Sequence, residues 1–75
     1  NYANQVALRK LLDDAFLAYE SGVNRAAYAY VAKQQGAPNN EYLKLVGEAL
    51  SHYAKTQCYA QMLTAQLKNL STESI

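Results

Sequence analysis

The sequence predicts an all-α fold, a three-helix bundle in which the C-terminal helix is the longest element. Three observations predict it. Apolar residues recur at three- and four-residue steps along most of the chain. No stretch alternates with the period of two that marks a half-buried strand. Turn signals punctuate the chain at Ser21, Gly22 and Asn24 and again at Gly36, Pro38, Asn39 and Asn40. At 75 residues the chain makes one domain. A domain of this size buries only ~60% of its unfolded surface, so oligomerisation or docking on a partner is a common source of further stability. Asn1 stands where a methionine would open a complete chain, and the 1–75 unit is expected to be a fragment of a larger protein.

The first helix is expected over residues 2–20, with Leu8, Leu11, Leu12, Ala15, Phe16 and Tyr19 on its apolar side. Ser21 and Gly22 supply a stop, because glycine takes the left-handed conformation that closes many helices. Asn24 is a suitable N-cap for a second helix over 24–35, which sets Ala27, Tyr30, Val31 and Gln34 on one side. Gly36 ends it, and Pro38 biases Ala37 away from helical geometry. Asn39 or Asn40 caps the third helix, with Glu41 in its first turn where the helix dipole favours an acid. From Tyr42 a heptad-like stripe runs through Val46, Ala49, Tyr53, Thr56, Ala60, Leu63, Leu67 and Leu70. No proline interrupts it, so the third helix is expected over 39–70, roughly 45 Å at 1.5 Å per residue. The tail "STESI" is expected to fray.

The chain also matches itself at a shift of 34 positions. Lys10 meets Lys44, Leu11 meets Leu45, Ala15 meets Ala49, Tyr19 meets Tyr53 and Ala26 meets Ala60, while Leu12 and Asp14 meet Val46 and Glu48. The stretch "PNNEYLKLVGEALSHY" resembles the opening of a tetratricopeptide unit, with Val46 and Gly47 at the Leu-Gly position and Leu50 at an aromatic one. Leu12, Phe16, Ala26 and Tyr30 fall near the matching places of a first unit, and the resemblance covers residues 6–70. Arg9 and Leu43 stand where large residues are usual, and Asp13 where a small glycine is. A second unit also requires a turn within 54–57, where "AKTQ" holds no breaker. The alternative architecture is therefore two tetratricopeptide-like helical hairpins, and the three-helix bundle is similar to related domains that bind helical peptides.

The resemblance implies a peptide groove along the first helix of each hairpin, and the positions it marks are Lys10, Asp14, Lys44, Glu48 and His52. In the family's carboxylate-clamp members a lysine is followed one turn later by asparagine. Here Asp14 and Glu48 take those places, and their charge would repel a C-terminal carboxylate. The ligand implied is an amphipathic or mixed-charge helix. Read from the residues alone, Lys10 with Asp14 and Lys44 with Glu48 are ordinary i, i+4 surface pairs.

Little in the sequence points to chemistry. His52 and Cys58, the only soft metal ligands, are six positions apart on one helix and do not share a face, so no zinc site or catalytic pair is expected. His52 is expected at a surface or rim, and Cys58 as a small buried hydrophobe. No phosphate loop or nucleophile elbow occurs. The chain is read as non-enzymatic, without a cofactor.

Seven lysines and arginines against six acids give a net charge of +1, with no basic stripe, so nucleic acid is an unlikely partner. A helix-turn-helix reading of "YVAKQQGAPNNEYLKLVGEAL" would present Asn39, Asn40, Glu41 and Lys44 to DNA with little positive charge. The single cysteine fits a cytoplasmic or other reducing compartment, and no apolar run approaches the ~20 residues that span a bilayer. Seven tyrosines with one phenylalanine and no tryptophan suit either the edges of a core or an aromatic contact surface. The expected function is a protein–protein interaction module for a helical or extended peptide. A homo-oligomeric assembly subunit, packed through the stripe that begins at Tyr42, is the alternative.

Overall fold

The computed structural model describes residues 2–73. The fold is all-helical among these residues, as expected, but it has two helices rather than three. Helix α1 runs over Tyr2–Gln34 and helix α2 over Asn39–Glu73, and they pack side by side as one antiparallel hairpin of 57 × 15 × 12 Å.

The expected break at 21–24 does not occur: Ser21, Gly22 and Asn24 lie inside α1. The reason is tertiary. A Cβ built on Gly22 would come within 2.7 Å of Cδ1 and Cε1 of Tyr53, so the glycine makes room for a ring on α2. Its absence of a side chain serves packing here rather than a turn, at a cost to the helix of about 1 kcal/mol relative to alanine.

The second breaker cluster behaves as its residues dictate. Gly36 adopts φ +74°, the Gly36 N–H donates to the Lys33 carbonyl at 3.2 Å, and the Ala37 N–H donates to the Ala32 carbonyl at 3.0 Å. Those two bonds make a Schellman close. The cap of α2 is Pro38, not an asparagine: its carbonyl accepts the N–H groups of Glu41 and Tyr42 at 3.0 and 3.2 Å, and Asn39 is already helical. α2 is unbroken through 54–57. Ser71, Thr72 and Glu73 continue the helix instead of fraying, and the same expectation for Ser74 and Ile75 lies outside the described residues.

The seam between the helices is built of small residues. Ala15, Ala18, Gly22 and Ala29 are buried on α1, and Ala49 on α2. The seam continues through half-buried Leu8 and Leu11 on α1 and through Tyr42, Leu45, His52, Thr56, Tyr59 and Leu63 on α2. Leu8, Ala15, Gly22 and Ala29 keep a strict seven-residue spacing, as do Tyr42, Ala49, Thr56 and Leu63. Thr56 sits in this apolar line because its hydroxyl donates to the His52 carbonyl at 3.0 Å. Ala27, Tyr30, Val31 and Gln34, expected to share a packed side, are all exposed, and Ala29 is buried in their place. Cys58 is exposed as well, contrary to expectation.

Candidate interaction surface

Residues facing each other across the hairpin have numbers that sum to about 75: Gly22 lies against Tyr53, and the Lys33 ammonium stands 5.1 Å from the centre of the Tyr42 ring. This register gives the hairpin two long faces, one on each side of the seam.

One face is largely apolar, interrupted on α2 by exposed Gln57 and Thr64. On α1 it carries Leu12, Phe16, Tyr19, Val23, Ala26 and Tyr30, which step by alternating fours and threes and so stay on one stripe. Val46, Leu50, Tyr53, Ala60 and Leu67 run alongside on α2. Near the turn, Ala26, Ala29, Val46, Ala49, Leu50 and Tyr53 line a cleft of ≈ 290 Å³, with Tyr30, Tyr42 and Lys33 at its margin. At the open end a second hollow of ≈ 290 Å³ lies among Leu8, Leu12, Leu63 and Leu67, beside Arg9. Between them the Tyr19 and Tyr53 rings approach to 6.2 Å between centroids, tilted by 42°. Phe16, Leu50 and Tyr30 stand 59%, 60% and 66% exposed along this face.

The opposite face is charged. Lys10 Nζ bonds Asp14 at 3.2 Å, and Arg25 Nε of α1 reaches Glu48 of α2 at 3.8 Å while its guanidinium lies 5.7 Å from the centre of the Tyr28 ring. Asp14, Leu17, Ala18, Ser21, His52, Lys55 and Tyr59 line a shallow depression of ≈ 240 Å³. A further hollow among Ser21, Asn24, Arg25, Tyr28 and His52 adjoins it.

Four of the five residues marked by the tetratricopeptide resemblance fall on this charged face. Asp14 and His52 share the depression, Lys10 borders it through its ion pair, and Glu48 is held by Arg25 rather than by Lys44. Lys44 is exposed on α2 and is not among the residues lining either hollow. His52 is half-buried at the rim of both. The apolar face was visible in the sequence as a stripe through Leu12, Phe16 and Tyr19, but there it marks a core and not an open surface.

Among the described residues no three His, Cys, Asp or Glu side chains are grouped closely enough to hold a metal ion. No described helix is long and apolar enough to cross a membrane. Comparison with known proteins returned no match to this chain from any protein-family model, curated protein or solved structure.

Proposed function

We propose that the chain is a non-catalytic protein–protein interaction module whose apolar face receives helical segments of a partner. One observation carries the reading. Among the described residues the buried core consists of Ala15, Ala18, Ala29 and Ala49 around Gly22, and no large side chain is fully buried, while Leu12, Phe16, Tyr19, Tyr30 and Leu50 are all more than half exposed. Burying one large apolar side chain contributes about 1.5–3 kcal/mol. The hairpin leaves that contribution unrealised along one whole face, and a contiguous apolar surface bordered by polar residues is what an interaction site presents. Two parallel ridges with a hollow at each end also suit an amphipathic helix laid lengthwise.

The tetratricopeptide resemblance would instead put the ligand on the charged face, at Lys10, Asp14, Glu48 and His52. That face offers a ligand less apolar area to bury: its hollow is shallow and lined largely by Asp14, Ser21, His52, Lys55 and Tyr59. Against the DNA-binding reading, the two helices lie alongside each other for their full length, whereas a helix-turn-helix sets its helices at ≈ 90–120°.

The test uses a fluorescent synthetic peptide, an amphipathic helix with leucine at the first and fourth positions of each heptad. Binding is expected to weaken about tenfold or more in Leu50→Glu, the scale of one lost interface anchor, and to be unchanged in Leu17→Glu on the charged face. Equal losses in the two variants, or a loss in Leu17→Glu alone, would overturn the assignment of the apolar face.

A further inference from the structure

The apolar face is complementary to itself, and we infer that its occupant is a second copy of this chain. The inference rests on the reading of this face as an interaction surface and names the partner.

The argument is one of spacing. Phe16 projects from α1 five residues before position 21, and the cleft floored by Ala26 lies five residues after it. Tyr30 projects nine residues after position 21, and the hollow beside Leu12 lies nine residues before it. At 1.5 Å per residue the two pairs stand about 7.5 and 13.5 Å on either side of a common centre. A two-fold axis through that centre, perpendicular to the helices, sets each protruding ring of one copy over a hollow of the other. Two-fold interfaces require this reciprocity, in which residue i meets j and j meets i.

Position 21 faces position 54 across the hairpin, next to Tyr53, and Val46 and Ala60 stand seven residues before and after that ring, while Leu50 and Leu67 have Thr56 and Asn39 as their counterparts. α1 then lies over α1 of the second copy, α2 over α2, and the product is an antiparallel four-helix bundle.

The size of the face agrees with this arrangement. The hairpin measures 57 by 15 Å across, so the outline of one face is about 850 Å², room for the ≈ 800 Å² of surface that each partner buries in a stable interface. The cations at the ends of the face are already engaged, Arg9 by Asp13 at 3.4 Å and Lys33 over the Tyr42 ring. Glu20 stands on the outer edge of the stripe one residue from the axis, so the arrangement brings it near its own mate at some cost in like-charge repulsion.

The test combines sedimentation equilibrium with cross-linking. The chain is expected to sediment as a dimer, and Phe16→Glu is expected to weaken association about a hundredfold, the scale of a lost aromatic anchor. Its helix content, read by circular dichroism, should stay unchanged because Phe16 lies outside the seam. For geometry, Phe16→Cys and Ala26→Cys are each made in a Cys58→Ser background and oxidised with copper–phenanthroline. An equimolar mixture is expected to give disulfide-linked dimers, and either variant alone is expected to give few, since its own cysteines lie about 15 Å apart across the axis. Cross-linking of Phe16→Cys with itself, or none in the mixture, would overturn the two-fold arrangement. A monomer at about 100 μM, a concentration that populates any dimer of micromolar affinity, would overturn the second copy as occupant. Binding of the model peptide by that monomer would then leave the interaction surface standing, and failure of both would remove the surface as well.

Discussion

The two faces of the hairpin are built on the same pair of helices and around the same seam, yet they differ in what they leave unsatisfied. On the charged face polar groups find partners within the chain: Lys10 holds Asp14, and Arg25 crosses to Glu48. On the apolar face nothing in the hairpin covers Leu12, Phe16, Tyr30 or Leu50. An exposed ion pair is nearly as well satisfied by water as by its partner, so it makes little demand on a neighbour. Exposed apolar surface gains only by leaving water. The difference teaches that the hairpin pairs its charges on one side and leaves a long apolar stripe open on the other, although Leu17 and Tyr28 on the charged side are each 60% exposed.

The largest effect expected within one chain lies at Tyr53, where the apolar face meets the seam. Tyr53→Ala removes the ring that covers Gly22 and touches Tyr19. It should lower stability by about 2–3 kcal/mol, less than a fully buried aromatic costs. Tyr28→Ala on the charged face should fall within about 0.5 kcal/mol of the parent. Urea denaturation of the two variants checks the contrast, and similar losses would break it.

Two smaller effects sharpen the contrast at glycines, where the same substitution is expected to change sign. Gly22→Ala gains helix propensity but drives a methyl into the Tyr53 ring at 2.7 Å, and overpacking of about 1–3 kcal/mol outweighs a gain of at most about 1. The net loss should be about 1 kcal/mol and should become a gain when made together with Tyr53→Ala. Gly47 has open space around it, so Gly47→Ala should stabilise by up to about 1 kcal/mol. Thermal melts of the four proteins against the parent measure both. A Gly22→Ala gain in the presence of Tyr53 would remove the ring-over-glycine contact from the account.

How legible this was in the sequence depends on how local the cause is. Gly36 and Pro38 act within their own turn, so the end of α1 and the start of α2 could be read from the residues alone. Gly22 answers to Tyr53, thirty-one positions away, and local rules take it for a stop. The signal that points the other way is the seven-residue spacing of Leu8, Ala15, Gly22 and Ala29, which passes through the supposed break without a change of phase. The third helix was expected because Ser21 and Gly22 read as a stop and Asn24 as the cap of a second helix. The stripe through Leu12 and Phe16 read as core, but α2 covers only the part of α1 nearest Ala15 and Ala18, and Leu12 and Phe16 remain more than half exposed. Periodicity cannot separate a core from an open interface, since both ask for apolar residues at the same spacing.

The most direct test of the central claim is the solvent exposure of side chains when the apolar face is occupied. A soluble gadolinium chelate broadens the NMR signals of methyl groups that solvent reaches. Whether a second copy or the peptide occupies the face, the methyls of Leu12, Leu50 and Leu67 should be protected from the chelate, while those of Leu17 stay exposed. Protection of Leu17, with the apolar stripe still open to the chelate, would contradict the account.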